Sequence, residues 1–215
     1  AAEWPCWRGP DHDGKSPDTG LLKQWPAGGP PKLWQTDGIG KGFSTVAVSG
    51  GRIYTTGDVR SGGDVKLVLF AMDMDGQFVW KQVVDDAWTR SHPGSRSTPT
   101  VDGDRIYLLS GLGKVVCLDA GNGELQWSRH TDEFNGKPGP WGYAESVLIV
   151  GDLAIFKPGG RQCIVALNKT NGQTVWVSPG NGGGPDYASC VPFTFADTLC
   201  IAAGTKAGLV CVDAK

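Results

Sequence analysis

The side chains that could carry chemistry are few and scattered along the chain. His12, His92 and His130 are far apart and lack the paired spacing of metal ligands. The sequence contains neither a G-x-S-x-G nucleophile motif nor a P-loop. The sequence from Asp11 resembles the start of a calcium loop but fails the EF-hand pattern, since Lys15 and Leu22 stand where an EF-hand needs ligands. We therefore predict no catalytic residues, and the sequence leaves any cofactor-binding residues unknown.

Binding chemistry is better represented than catalytic chemistry. Two long segments, 85–96 and 129–143, mix aromatic residues with arginine and histidine, a composition typical of binding hot spots. Ordinary solvated loops, with the tryptophans tucked against the nearest sheet, are the alternative. The predicted binding-loop residues are Trp88, Arg90, His92, Arg96 and Trp141.

The composition restricts the elements that can position these loops. With 33 glycines and 14 prolines in 215 residues, the chain excludes a helical bundle. The longest apolar run, 67–72, is too short to span a membrane, so we predict no transmembrane segment. A net charge of −2 without a basic block argues against nucleic acid as a partner.

A repeated pattern organises the chain. A small residue, an Asp or Asn two positions later, a glycine and a tryptophan recur in order, and the tryptophans Trp34, Trp80, Trp127 and Trp176 are spaced by 46, 47 and 49 residues. Each unit contains four short apolar runs separated by turn residues, which predicts four antiparallel strands, A to D. A unit of this length suits a blade of a β-propeller.

The repeated residues are predicted to be structural. The four tryptophans would fill the wedge between neighbouring sheets, and an Asp or Asn would bond the amides of its own turn. The turn residues are Asp73, Asp119, Asn168 and Asp213. We divide the chain into an N-terminal extension (1–30) and a propeller region (31–215). The latter comprises a strand D at 31–36, blades at about 43–84, 96–130 and 144–179, and a partial blade at 187–215.

The A-x-D-x-x-x-G-x-x-x-W run resembles the tryptophan-docking repeat of PQQ-like propellers, a superfamily of quinoprotein dehydrogenases and BamB-type assembly lipoproteins. Trp7-Arg8-Gly9-Pro10 is similar to the start of exported PQQ-like repeat proteins of the planctomycete type. The resemblance implies an all-β propeller of which this chain forms part of a seven- or eight-bladed ring. The alternative is a closed four-bladed propeller. An incomplete ring would be prone to self-association through its unpaired blades.

The resemblance also raises the question of PQQ and calcium. Quinoprotein dehydrogenases hold them in a central funnel with carboxylates and an asparagine, often beside a vicinal disulfide. This chain has no adjacent cysteines. Glu145, at the start of a predicted strand A, is a weak candidate metal ligand, and it could instead pair with a basic side chain or face solvent. We predict no metal and no cofactor, with PQQ and calcium entering only under the dehydrogenase alternative.

The cysteines and the first residues bear on location. If strands B and C of the fourth unit turn at Thr205-Lys206, Cys200 and Cys211 face each other within disulfide range, although both could equally be core thiols. The small-residue start Ala1-Ala2 is what signal-peptidase cleavage leaves, so we expect an exported protein, in the periplasm, cell envelope or extracellular space.

The leading functional hypothesis is an exported, non-enzymatic scaffold that binds a protein, a peptide or an envelope polymer through loops at one face. A PQQ- and calcium-dependent dehydrogenase is the main alternative. A carbohydrate-binding module is the third, with exposed Trp88 and Trp141 as its stacking surfaces.

Overall fold

The structure is a computed structural model that describes residues 3–215. Fifteen strands and one short 3-10 helix, Thr131–Phe134, account for the regular structure of these residues. Blade 1 contains β1 (Ala47–Ser49), β2 (Arg52–Ser61), β3 (Asp64–Asp73) and β4 (Phe78–Asp86). Blade 2 contains β5 (Thr100–Asp102), β6 (Arg105–Leu109), β7 (Lys114–Asp119) and β8 (Leu125–His130). Blade 3 contains β9 (Leu148–Val150), β10 (Leu153–Phe156), β11 (Gln162–Asn168) and β12 (Thr174–Pro179). Blade 4 contains β13 (Val191–Phe195), β14 (Thr198–Thr205) and β15 (Gly208–Asp213).

The strands of each blade are antiparallel and follow one another in chain order. The first strands of successive blades touch, β1 against β5 and β5 against β9, and we call these strands and β13 the inner strands. This arrangement is the all-β propeller architecture that the repeat predicts. No helix in residues 3–215 is both long and apolar enough to cross a membrane.

Residues 31–36 do not form the predicted strand D. A D strand needs the C strand of its own blade as a partner, and residues 3–215 contain no such strand before Trp34. Pro30 and Pro31 also lack the N–H that a ladder requires. Nor do residues 31–36 pair with β15, so the described blades form an open arc rather than a closed four-bladed ring.

Tryptophans join each blade to the next. The ring of each covers a glycine in the turn of the following blade so closely that a Cβ there would lie within 3 Å of a ring carbon. These pairs are Trp34 on Gly76, Trp80 on Gly123 and Trp127 on Gly172. The indole N–H groups of Trp80, Trp127 and Trp176 donate to the carbonyl oxygens of Ala120, Lys169 and Ala214 at 3.3, 2.9 and 3.1 Å.

The turns that receive these tryptophans are shaped by their first residue. The Asp119 carboxylate accepts hydrogen bonds from the N–H groups of Gly121 and Asn122 at 2.7 and 3.0 Å. Asp73, Asn168 and Asp213 accept equivalent bonds from amides in their own turns. The glycine that follows adopts a positive φ, +78° at Gly123, which favours glycine because it has no Cβ.

A row of hydroxyl groups connects the beginnings of the inner strands. The Thr98 side-chain oxygen accepts a bond from the N–H of Thr45 at 3.3 Å. Ser146 accepts from the N–H of Thr98 at 3.1 Å, and Ser189 accepts from the N–H of Ser146 at 2.9 Å. Together with three buried apolar clusters, one at each junction between blades, this row fixes the blades relative to one another.

Candidate binding site at the inner surface

A cavity of about 790 Å³ lies on the inner surface of the arc. The inner segments of blades 2, 3 and 4 form one wall, and Phe43 and a turn at residues 6–12 form another. Its polar lining consists of hydroxyl groups, the thiols of Cys6 and Cys190 and three basic side chains, Arg8, His12 and Arg96. No aspartate or glutamate is among the residues that line it. The cavity therefore favours an anionic ligand on electrostatic grounds.

The N-terminal segment docks on the inner strands. Trp4 and Val48 exchange both backbone hydrogen bonds, at 2.8 and 2.9 Å, and the N–H of Val101 donates to the Pro5 carbonyl at 2.8 Å. One short extended segment thus bridges the inner strands of blades 1 and 2. The turn that follows is tight, with Gly9 at φ +80° against the ring of Trp4.

This docking places Trp7 and Arg8 on the cavity wall, where the sequence had indicated only a family-like motif. The Trp7 side chain is 42% exposed. The guanidinium of Arg8 donates to the Asp13 carbonyl at 3.2 Å and forms no ion pair within the described residues. Beneath the turn, burial raises the pKa of the Cys6 thiol to about 11 and, by the same cause, lowers that of His12.

Three connecting loops meet at Tyr187, a residue that lines the cavity. The ring of Trp141 packs edge-on against His92, with centroids 5.6 Å apart, and stacks on Tyr187 at 5.1 Å. We call these three residues the aromatic row. Trp141 is 45% exposed, whereas the hydroxyl of Tyr187 is buried without a hydrogen-bond partner. The structure therefore brings together His92 and Trp141, two of the sequence-predicted binding residues, and adds Tyr187.

Trp88 is placed differently from the expectation of an exposed ring. It is only 4% exposed, and its indole N–H donates to the Ser91 carbonyl at 2.9 Å. Arg90 lies over its outer face, 5.4 Å from the ring centroid. The ring is buried because Gly111 and Gly142 leave room for it against the backbone of blade 2 and the next loop. Trp88 therefore supports the loop and offers no stacking surface for a sugar.

Arg96 links the aromatic row to the cavity. Its guanidinium lies over Phe43, 5.6 Å from the ring centroid, and donates to the carbonyls of His92 and Gly94. Asp58 lies behind it, where burial raises the pKa of that carboxyl to about 6 although the charge of Arg96 opposes the rise. Arg96 thus holds the His92 loop while it presents positive charge to the cavity.

Comparison with known proteins places the repeated architecture in a family. The family model described as outer membrane protein assembly factor BamB (PQQ_2) matches residues 26–215. The chain belongs to this family.

Two curated BamB proteins are similar to this member of the BamB family. The BamB of Moranella endobia is 26% identical over 135 residues, which cover 60% of this chain and 32% of that protein. The BamB of Shewanella oneidensis is 24% identical over 166 residues, covering 75% and 39%. This chain therefore spans between about a third and two fifths of the length of the curated relatives it matches. The quinohemoprotein alcohol dehydrogenase of Comamonas testosteroni has the same fold over 81% of this chain and 34% of its own, with a TM-score of 0.57 at 16% identity.

Glu145 belongs to a buried ion-pair network instead of a metal site. Its side chain is 2% exposed, and one oxygen accepts the N–H of Lys157 at 2.5 Å while the other lies 3.9 Å from the Lys157 ammonium. The ammonium also contacts the Asp186 carboxylate and donates to the Gly204 carbonyl at 2.7 Å. Lys157, which the sequence analysis missed, supplies the positive charge that a metal would otherwise bring to Glu145.

The network has a marked effect on ionisation. Burial raises the pKa of Glu145 to about 7, although the Lys157 ammonium and amide oppose the rise. Burial lowers the pKa of Lys157, but the charges of Glu145 and Asp186 outweigh it and raise that pKa overall. The Glu145 carboxylate offers no free charge for a metal ion, because it is already paired with Lys157. No group of three or more His, Cys, Asp and Glu in residues 3–215 is arranged to hold a metal ion.

The predicted disulfide between Cys200 and Cys211 is wrong. Cys200 lies opposite Asp213 and Cys211 opposite Ala202, so the two cysteines are displaced by two residues along the ladder. The reason is the turn, which joins Thr205 to Gly208 through Lys206-Ala207 instead of turning at Thr205-Lys206. All six cysteines are free.

Proposed function

We propose that this BamB-family chain is a non-enzymatic propeller scaffold of the cell envelope that binds a protein or peptide through the loops at one face. The observation that carries the proposal is the aromatic row, in which three separate loops present an exposed tryptophan and Arg96 holds the His92 loop. Aromatic and arginine side chains on a rigid support are the residues that dominate binding energy at protein interfaces.

The support under the aromatic row is unusually firm for a set of loops. Tyr187 follows Asp186, which the buried Lys157 holds, and the Ser91 hydroxyl donates to the Pro140 carbonyl, which links the first two loops. Little side-chain freedom remains to be lost when a partner packs on Trp141, which lowers the entropic cost of binding.

The relatives support a protein partner and an envelope location. Both curated relatives are named outer membrane protein assembly factors, a name that describes the assembly of proteins at the cell envelope. We extend to this chain only the coarse role, a scaffold that contacts proteins, together with export. The fold itself carries no activity, since one propeller architecture serves many functions.

Selection from a random peptide library on the immobilised chain tests the proposal. We expect the selected peptides to bind Trp141→Ala at least about tenfold more weakly than the parent chain, as for a hot-spot residue. Trp25→Ala is the matched control, because Trp25 is also exposed, at 63%, and lies outside the row. Peptides that bind Trp141→Ala and Tyr187→Ala as well as the parent chain would contradict a site at the loops.

A titration with PQQ and calcium separates the scaffold from the dehydrogenase alternative. We expect no saturable change in tryptophan fluorescence and no alcohol-dependent reduction of a redox dye. Saturable binding accompanied by dye reduction would instead establish a quinoprotein activity and overturn the proposed scaffold function.

A further inference from the structure

The inner surface contains a second binding feature, the cavity, which shares Tyr187 and Arg96 with the loops of the aromatic row. Arg8 and Arg96 both line the cavity, and no carboxylate is among its lining residues. Neither guanidinium forms an ion pair with the described residues. Two arginines that line one concave space, with no carboxylate in its lining, favour a ligand that brings carboxylates of its own.

The chain itself shows which kind of molecule the inner strands accept. Residues 4–5 lie extended along the inner strands of blades 1 and 2 and bond them through the N–H and C=O groups of Val48 and the N–H of Val101. This is strand addition, the backbone-mediated mode by which sheet edges take up extended peptides.

The inner strand of blade 3 offers the same edge without an occupant among the described residues. Ile149 lies opposite Ala154 in a three-residue inner strand, as Val48 lies opposite Ile53 in blade 1. The shared register directs the N–H and C=O of Ile149 away from β10, as it does for Val48. Unlike Val48, Ile149 has no backbone partner on that side. Its neighbours Val147 and Leu148 line the cavity.

We propose that the central cavity binds an extended acidic peptide, which adds to the free edge of β9 and places a carboxylate between Arg8 and Arg96. The proposal rests on the proposed scaffold function and specifies the chemistry of the partner. An anionic polysaccharide could satisfy the arginines but offers no amide groups for the strand edge. A peptide can satisfy both the two arginines and the unpaired strand edge, and the cavity therefore favours a peptide.

Fluorescence anisotropy with defined probes tests this inference. The probe is a labelled, end-capped peptide of about ten residues, roughly one long strand, that alternates glutamate with valine. Three control probes are compared with it. In the first, glutamine replaces each glutamate, and in the second, alternate backbone nitrogens are methylated. The third is an oligogalacturonate with the same number of carboxylates. We expect the acidic peptide to bind most tightly. Each control probe should bind about tenfold more weakly, as expected for the loss of a charged hydrogen bond.

Variants of the chain locate the site. Arg8→Gln is the principal variant, because Arg8 makes no contact with the aromatic row, and we expect it to weaken binding of the acidic peptide about tenfold. Arg96→Gln should act similarly, with an added effect on the His92 loop that Arg96 holds. Arg60→Gln is the matched control, since Arg60 is exposed on β2 and does not line the cavity.

The outcomes separate this inference from the proposed function. Equal binding of the acidic peptide to the parent chain and Arg8→Gln, or equal binding of the oligogalacturonate, would overturn the inference. If library-selected peptides still depended on Trp141 in that case, the scaffold function would stand without the acidic-peptide site. If neither the selected peptides nor the acidic peptide bound, the scaffold function would fall as well.

Discussion

The junction between blades 2 and 3 and the junction between blades 3 and 4 join the same kind of sheets with different chemistry. At the first junction, Tyr107 and Trp127 both donate to the Lys169 carbonyl, and Arg105 donates to the Thr170 carbonyl. At the second, only the Trp176 bond to Ala214 is kept. The positions of Arg105 and Tyr107 on β6 correspond to Leu153 and Ile155 on β10, which have no polar group to donate.

The ion pair of Lys157 and Asp186 takes the place of these lost hydrogen bonds. Lys157 is 1% exposed and lies near the buried thiols of Cys163 and Cys190. Burying two charges carries a large desolvation penalty, which their mutual attraction offsets. Removal of one partner leaves the other charge buried and unpaired, which destabilises the fold far more than the loss of a neutral hydrogen bond. The comparison teaches that the repeat fixes the geometry of a junction but leaves its chemistry free.

Removing the lysine should have the largest effect. Lys157→Met leaves the buried Glu145 and the partly exposed Asp186 without a cation, and we expect a loss of about 3–5 kcal/mol in the free energy of unfolding. Urea denaturation measures it. Lys169→Met is the matched control at the other junction, because its pair with Asp102 is partly exposed and should contribute less than about 1 kcal/mol. Equal losses in the free energy of unfolding for the two variants would show that the buried ion pair stabilises its junction no more than the partly exposed pair does.

Tryptophan truncation compares the feature that both junctions share. Trp127 is 9% exposed and covers Gly172, so Trp127→Ala should cost about 3–4 kcal/mol through lost burial and a cavity. Trp176 is less buried, and Trp176→Ala should cost about 1 kcal/mol less. Thermal denaturation followed by circular dichroism orders the two variants. A larger loss of stability for Trp176→Ala would mean that the junction between blades 3 and 4 depends mainly on its tryptophan and less on the ion pair.

The second junction should also impose a pH dependence. The pKa of Glu145 is raised to about 7, above its ordinary value near 4.5, so the folded state holds this proton more tightly than the unfolded chain. The contribution of the group is therefore fully present below about pH 4.5 and is lost as the pH rises through 7. In Glu145→Gln this loss, on the order of 3 kcal/mol, should disappear.

Denaturation of the parent chain and Glu145→Gln at pH 4.5, 6 and 8 checks this expectation. The side-chain carbonyl of glutamine can still accept the Lys157 amide, which makes the variant a conservative one. Parallel pH profiles for the two proteins would show that folding leaves the pKa of Glu145 near its ordinary value.

A glycine pair sharpens the comparison at the smallest scale. Gly172 and Gly151 both have positive φ, +71° and +55°, but a Cβ at Gly172 would lie 2.9 Å from the Trp127 ring, whereas one at Gly151 would meet nothing within 4 Å. Gly151→Ala should cost about 1 kcal/mol from backbone strain. Gly172→Ala should cost about 1–2 kcal/mol more because the ring must move. Equal effects in chemical denaturation would show that the ring yields freely.

The sequence predicted more of the fold than of the site, for a physical reason that particular residues illustrate. The tryptophan repeat indicates propeller blades because in each blade a tryptophan packs against the turn of the next blade in the same way. The strand at 31–36 was predicted wrongly because a D strand exists only beside its C strand. The Cys200 and Cys211 pairing failed because a one-residue change in the position of the turn shifts every pair in the ladder by two.

The site was predicted only in part. His92, Arg96 and Trp141 were identified by composition, whereas Tyr187, Arg8 and Lys157 were not. A signal existed for Arg8, within the Trp7-Arg8-Gly9-Pro10 sequence, but nothing in it revealed that residues 4–5 dock on the inner strands. The Arg-Ile-Tyr sequences of β2 and β6 were visible as strands, although their bonds to the next blade were not.

By itself, the sequence determined the all-β architecture, the repeat length and the residues that shape the turns. These follow from local interactions, the period-2 alternation of strands, the φ preference of glycine and the Asp or Asn that bonds its own turn. Only the tertiary structure decided that Lys157 faces Glu145, that three loops form one aromatic row, and that the N-terminal segment occupies one strand edge and leaves another free. Those contacts join residues far apart in the chain, and their formation depends on how whole blades pack, which no local pattern encodes.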